Sequence, residues 1–433
     1  MTTILKAGRL IDGTGSPPQE NVAITIEDGR ITDVGDLPGP GDATIIDLTT
    51  HTVLPGLIDA HMHFFGVDLM HADTLHTESD AYRMLRSMRD AYRLLESGFT
   101  AVRCLGSTIG PTLSRGVREG IIPGPRIVAA GNFIAPTGSG WDHYWLPFEL
   151  MKKGDSVADG VAECQAIVRR RMRQGADLIK IATSMGTFKG VNQTWGDSAD
   201  DKDQLLVYSV EELRAIVDEA HRRGLKVSSH SIGDAAVNRA LDVGVDVIEH
   251  SHGMKDETRE RLKESGKIIV PTFSNPHFHK IVGRHLGLPE ETLEVDQRHI
   301  DAQIENFQTC QELKIPIAMG TDMTGAPIQP HGEQAAELEL MVKYGMKPMD
   351  AIVSATKIGS LALGLENDLG TVVSGKYADL IAVKEDPTQN ISALTNVDFV
   401  MKEGTVFRQD GITCPDRWLG NPQERMIDTA GGL

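Results

Sequence analysis

The chain has 433 residues, 40% of them hydrophobic, and a formal net charge of −18. That length suits one large domain with a smaller companion, and so acidic a balance excludes a nucleic-acid partner, because binding phosphates needs a basic face. The four cysteines, Cys104, Cys164, Cys310 and Cys414, lie far apart without paired spacing, which excludes a disulfide framework or a cysteine zinc site and leaves reduced thiols as the expectation.

No apolar run approaches the length needed to cross a bilayer, and the opening stretch MTTILKAGRLIDGTG lacks the basic, apolar and small-residue segments of a signal peptide. A cytoplasmic protein with no membrane partner is expected. The acidic run from Gly196 to Gln204 reads as a solvated loop.

Up to about Pro55, short alternating segments (ILKAGRLIDG, VAITIEDGRITDVG, ATIIDLTTHTVLPG) separated by glycine-containing turns predict strands. Eight apolar runs follow: GLIDAHMH, FTAVRCLGS, PRIVAAGNFIAPTG, ADLIKIATS, LKVSSHSIG, VDVIEHSHG, KIIVPTFSN and IPIAMGTDM. Amphipathic helical stretches separate several of them, and in SVEELRAIVDEAHRRG Ser209 is the expected N-cap, Glu212 completes a capping box and Gly224 ends the helix. Eight such repeats predict an α/β fold, a (β/α)8 TIM-type barrel. After Leu365 the strand style of the beginning returns in GTVVSGKYADLIAVKED and VDFVMKEGTVFRQDG.

The expected organisation is therefore a barrel over residues 57–365 and a small β-sandwich domain built from both termini, residues 1–56 and 366–412. An arm over residues 413–433 is expected to lie on the surface or on a partner subunit, in a homo-oligomer.

Residues at the carboxyl ends of barrel strands face one shared mouth. His61 and His63 sit there on the first strand, spaced so that both imidazoles point to one side. Lys180 follows on the fourth strand, His230 on the fifth, His250 on the sixth and Asp322 on the eighth. Lys180 is the odd member, because a buried ammonium is costly and cannot ligate a cation. Carbamylation by carbon dioxide resolves this, since it turns the amine into a carboxylate-like group whose two oxygens can each meet a different ion.

The set DAHMH, LIKI, SSH, IEH and GTD, with PGLIDAH before it and GKYADLIAV after it, resembles the amidohydrolase superfamily in its binuclear branch with a carboxylated lysine. The stretch HGEQAAELELMVKYGMKPMDAIVSAT is similar to the imidazolonepropionase-like group, which includes prolidase-like dipeptidases, ochratoxin-type amidases and arylurea hydrolases. The resemblance implies that His61, His63 and Asp322 bind one divalent ion, that His230 and His250 bind a second, and that Lys180 bridges them, with zinc the expected metal. It also implies that Tyr208 hydrogen-bonds the tetrahedral oxyanion and that His143 contacts substrate. The chain departs from the group at Gly138-Ser139-Gly140-Trp141, where many relatives carry Gly-Gly-His-Gly, and at Cys104, where an aspartate after arginine is common.

Two cations sharing a water bring its pKa towards neutrality, which makes hydroxide available for attack, and Asp322 can carry the proton from that water to the leaving amine. The expected activity is hydrolysis of an amide-type carbon–nitrogen bond in a small molecule, a dipeptide, an N-acyl amino acid or an aryl amide. The alternatives are an aryl carbamate or urea hydrolase, a heterocycle deaminase, and a non-catalytic scaffold of the same fold. Trp141, Tyr144 and Trp145 read either as an apolar pocket wall or as a plug on the barrel rim, and His252, His277 and His279 read either as surface histidines or as contacts to the ligands or the substrate.

Overall fold

The computed structural model describes residues 2–36, 42–67, 74–139, 141, 142, 146–149, 151, 155–184 and 206–413. His143, Tyr144, Trp145, the acidic run 196–204, Cys414 and the rest of the arm lie outside the described residues. Among the described residues, no helix is long and apolar enough to cross a membrane.

Strands β1 (Thr2–Leu10), β2 (Gln19–Glu27), β3 (Arg30–Gly35) and β4 (Thr44–Pro55) open the chain. Seven strands of the central part follow: β5 (Leu57–Met62), β6 (Phe99–Cys104), β7 (Arg126–Ala129), β8 (Leu178–Ala182), β9 (Lys226–Ser231), β10 (Val247–His250) and β11 (Ile268–Val270). The chain then returns to β12 (Leu380–Val383), β13 (Phe399–Lys402), β14 (Thr405–Gln409) and β15 (Ile412–Thr413).

β5, β6 and β7 form one parallel sheet, and β8 to β11 form a second. Isolated parallel bridges connect them, Ile134 to Ile181 on one side and Ile269 to Ile317 and Met62 to Met323 on the other. The segment from Ile317 to Met323 thus lies between β11 and β5 and closes the pairing into a ring. It makes only bridges where a full eighth strand was expected, although Ala318 N donates to Ile269 O and Ala60 N donates to Met319 O. Close approach explains the small residue there, because a Cβ on Gly320 would lie 2.4 Å from Val270 Cγ1 and 2.9 Å from His61 N.

Every residue of β5, β6, β8 and β10 is buried, the pattern of strands covered on both faces. Helices between successive strands cover the outside. One is Val210–Arg222, which buries Leu213, Ile216, Val217 and Ala220. Its capping box forms as expected, with Ser209 Oγ accepting from Glu212 N and Glu212 Oε2 accepting from Ser209 N. Inside the ring, Ile58, Ala60, Ala101, Val247, Val270 and Ala318 pack on Ala362 and Leu363, which plug the amino-terminal end.

The two ends of the chain pair with each other. Their strands hydrogen-bond in one eight-stranded sheet in the order β15-β14-β13-β12-β4-β1-β2-β3. β4 is the seam, pairing parallel with β1 and antiparallel with β12. Inward side chains from both arms, among them Ile24 and Ile26 on β2 and Phe399 and Met401 on β13, share one core.

The capping box gives a direct check on this local reading. Ser209→Ala removes a side-chain acceptor from a helix end and should cost about 1 kcal/mol. A lower midpoint of denaturant unfolding would show it, and Ser209→Asp, which still accepts, should retain most of the stability.

Candidate metal centre

The sequence-predicted ligands come together. His61 ends β5 and His63 follows it, Lys180 lies on β8, His230 on β9, His250 at the end of β10 and Asp322 in the closing segment. All six are at most 3% exposed. Ligand atoms of His61, His250 and Asp322 lie within 4.8 Å of one another. The ring of His250 is 5.2 Å from that of His61 and 4.7 Å from that of His230, so the two expected halves of the site adjoin.

Three of the imidazoles, His61, His63 and His250, have a partner on Nδ1. Glu249 Oε2 lies 2.8 Å from His61 Nδ1, the carbonyl of Gly106 3.1 Å from His63 Nδ1, and Thr272 Oγ1 2.8 Å from His250 Nδ1. Glu249 and the Gly106 carbonyl only accept, so Nδ1 of His61 and His63 carries the proton and, in the neutral ring, Nε2 presents a lone pair. Those two lone pairs both face Asp322 Oδ1, at 3.2 Å from His61 and 2.9 Å from His63.

Acceptors converging on an acceptor repel unless a positive charge lies among them. Burial lowers the pKa of His63 despite its contact with Asp322, and burial together with neighbouring cations brings His230 down to about 3. A metal ion among these atoms would supply that charge. Burial alone would raise Asp322, but His61 and His63 hold it well below the usual carboxylate range, so it stays ionised. Asp322 Oδ2 and Lys180 Nζ are buried with no hydrogen-bond partner. Imidazole nitrogens and carboxylate oxygens around orphaned buried polar atoms fit divalent ions of the zinc type.

The backbone at the strand ends is unusual. His250, Ser251, Thr272 and Asp322 have φ of 67°, 57°, 60° and 55°, conformations that cost non-glycine residues energy and cluster at functional sites. The left-handed turn at His250 breaks strand alternation, which lets Glu249 and His250, neighbours in sequence, both reach His61.

Glu249 and Asp59 were missed by sequence reasoning. Glu249 receives Arg103 Nη2 at 2.7 Å, Ser228 Oγ at 2.5 Å and His61 Nδ1, and although burial opposes it, Arg103 and His61 hold its pKa down at about 2. Asp59 accepts from His61 N, Thr321 N and Thr321 Oγ1, which ties β5 to the closing segment. An acidic residue buried in VIEH directly beside a ligand was the available signal for Glu249.

Other predicted residues fall elsewhere. The phenol of Tyr208 donates to the carbonyl of Ala158 at 2.9 Å and lies beside Cys164, Asp159 and Glu212. His252, His277 and His279 are not on the surface but buried, against His299, Tyr344 and Asp296 respectively. Burial raises the Cys104 thiol to about 11, which makes it an inert packing group beside Arg103. Trp141 stacks on Phe133 with ring centroids 3.9 Å apart, and Phe65 stacks on His63 at 4.8 Å, so one aromatic wall stands against the ligands.

Removing Glu249 tests this construction. Glu249→Ala leaves Arg103 buried without its carboxylate and should cost about 3–5 kcal/mol. Glu249→Gln keeps the shape but weakens the hold on His61, and metal affinity should fall about 10- to 100-fold. Thermal unfolding of the first variant and metal titration of the second provide the readouts.

The amidohydrolase family model matches residues 52–407. Ochratoxinase of Aspergillus niger is 31% identical over 439 aligned residues, covering 95% of this chain and 87% of that one. A solved Xaa-Pro dipeptidase with methionine bound in its active site is 33% identical with a TM-score of 0.81, over 94% of this chain and 100% of that one. A prolidase complexed with N-methylphosphonate-L-proline is 26% identical with a TM-score of 0.84, over 94% and 100% of the two chains. The chain belongs to the amidohydrolase family, in its imidazolonepropionase-like group, and is a hydrolase of carbon–nitrogen bonds.

Proposed function

We propose that the chain is a binuclear metal-dependent hydrolase of small amides, acting on a dipeptide, an N-acyl amino acid or an aryl amide. The observation that carries this reading is the convergence of bare imidazole nitrogens on Asp322 beside the unpartnered amine of Lys180. The likeness to an Xaa-Pro dipeptidase and a prolidase supports the dipeptide class, and the aromatic wall of Phe65, Phe133 and Trp141 suits an apolar or aryl substituent. In this reading residues 57–365 form the (β/α)8 barrel, residues 1–56 with 366–412 form a β-domain, and residues 413–433 form an arm.

His61, His63 and Asp322 would hold one ion, His230 and His250 the other, and a carbamate on Lys180 would span them. When bound, two divalent ions, zinc by donor type, polarise the scissile carbonyl and bring the pKa of a shared water towards neutrality. Lys180 must be neutral to add carbon dioxide, releasing one proton as the N–C bond forms. Burial lowers its pKa to about 8, which leaves roughly a tenth of it neutral at pH 7, against well under a thousandth for a free lysine. Asp322, ionised and leaning towards His61 and His63, takes the proton of the attacking water and returns it to the leaving amine. Glu249 and Gly106 hold the rings still while this happens.

The purified protein should carry about two divalent ions per chain and hydrolyse members of a panel of dipeptides, N-acyl amino acids and aryl amides. Lys180→Arg keeps the charge and cannot form the carbamate, so it should lose metal and most activity. Elemental analysis beside the activity panel decides. One ion with full activity would favour a mononuclear deaminase, and turnover of aryl carbamates or ureas alone would favour that alternative.

Asp322→Asn should impair chemistry more than binding. It can still offer an oxygen to the metal but cannot accept the proton, so kcat should fall roughly a hundred- to ten-thousandfold. That is about 3–5 kcal/mol of transition-state stabilisation, with KM changed far less. Steady-state kinetics on the variant, with metal content confirmed, measures it, and a kcat within about threefold of wild type would reassign the proton transfer.

A further inference from the structure

At the end of the ring opposite the ligands lies a cavity of about 570 Å³, within the size range of small-molecule sites. Its walls come from the amino-terminal ends of strands: Arg126, Ile127 and Val128 on β7, Leu178 on β8 and Lys226 on β9. Ser114 to Arg118 of the helix Gly110–Arg118, the plug around Leu363, and Tyr377, Lys402 and Glu403 beside the terminal sheet complete it.

The charge of this lining runs against that of the molecule. In a chain of net charge −18, five cationic side chains, Arg103, Arg118, Arg126, Lys226 and Lys402, line the cavity with only two carboxylates, Asp177 and Glu403. Arg103 is already paired with Glu249, and Arg126 with Glu403 at 2.5 Å and with the buried Asp379 at 3.7 Å. Lys226 donates only to a backbone carbonyl, that of Leu361, at 2.8 Å. Arg118 faces Asp177, and Lys402 has no ion pair within the described residues. Burial lowers the pKa of Lys402, with Glu403 and Asp379 opposing and Arg126 adding to the effect. Arg118, Asp177 and Glu403 are exposed, so the cavity opens to solvent, while Arg103, Leu178, Ala362 and Leu363 are buried and form its floor.

We propose that this cavity binds a small multivalent oxyanion, a phosphate ester or a polycarboxylate, at a site separate from the hydrolytic centre. Lys402 and Lys226 would supply charge and hydrogen-bond donors, with Arg118 beside Asp177 at the mouth, and Arg126, stacked over Tyr377 at 4.7 Å, at the wall.

The test uses the metal-loaded enzyme and isothermal titration at low salt with inorganic phosphate and, in parallel, succinate, both compared with chloride. Lys402→Ala and Arg118→Ala are half-buried and exposed changes that leave the metal centre untouched, so hydrolytic activity should stay at the wild-type level and report intact folding. The expected result is saturable binding that each substitution weakens about tenfold and the double variant abolishes. A preference for phosphate assigns the site to phosphorylated ligands, and a preference for succinate assigns it to carboxylates. Saturable binding that survives both substitutions belongs to the metal centre and overturns the proposal, as does no saturable binding of either probe.

Discussion

The ion pair between Arg103 and Glu249, closed at 2.7 Å inside the ring of strands, is the constraint on which the rest of the site depends. Neither side chain is more than 1% exposed, and a lone charge at such a place would cost several kcal/mol. Each charge needs the other, and hydrogen bonds saturate both. Arg103 also donates to the carbonyl of Ala60, and Glu249 also receives Ser228 Oγ and His61 Nδ1. Four strands, β5, β6, β9 and β10, are thereby locked at one level. The pair contributes little net stability compared with an apolar core of equal volume, but it dictates geometry, because His61 can satisfy Glu249 only by turning Nε2 towards Asp322.

Strain follows from the same demand. Left-handed backbone at His250, Thr272 and Asp322 costs of order 1–3 kcal/mol each. It persists because the surroundings determine it more than once. Asp322 N donates to the carbonyl of His61 at 2.6 Å, and the carbonyl of Asp322 receives Asn275 Nδ2 at 2.9 Å. Asp59 holds the preceding residue, Thr321, by its backbone N and its hydroxyl. A turn gripped on both sides cannot relax to ordinary φ without breaking bonds to buried charged groups, each worth about 1.5–3 kcal/mol. The strained turns therefore keep the ligands aimed whether or not a metal has arrived.

What the sequence made legible was whatever depends on local spacing. His61 and His63 share a side because strand alternation is set by covalent geometry, and the Ser209–Glu212 capping box forms because its partners are three residues apart. Lys180 was conspicuous because an ammonium among Leu178, Ile179 and Ile181 contradicts its surroundings. Glu249 was not legible, since its partners Arg103 and His61 are 146 and 188 residues away and only the register of four strands brings them together. The same reason hid the burial of His252, His277 and His279. Their covers are the helix Glu290–Glu312 for His299 and Asp296, and the end of another helix for Tyr344, and no periodicity on their own segments announces those neighbours. The placement of Tyr208 follows from its carbonyl acceptor at Ala158, fifty positions upstream.

The two faces of the ligand set obey different physics, and this separates chemistry from selectivity. Below the histidines, rigid strands supply fixed carboxylates and carbonyls whose positions admit little variation without unpairing a buried charge. Beside them stand Phe65, Phe133 and Trp141, which contact His63 and each other through stacked and tilted rings and sit on loops outside the strands. Aromatic contacts are worth about 0.5–1.5 kcal/mol each beyond area burial and bind no single geometry. Exchanging one of them therefore reshapes the wall without disturbing the ions' seats. The edge of Trp141 also approaches His230 to 6.4 Å between ring centroids, so the wall reaches the half of the site that carries His230. In the proposed hydrolase, discrimination among amides would lie in these side chains, which carry no part of the charge network.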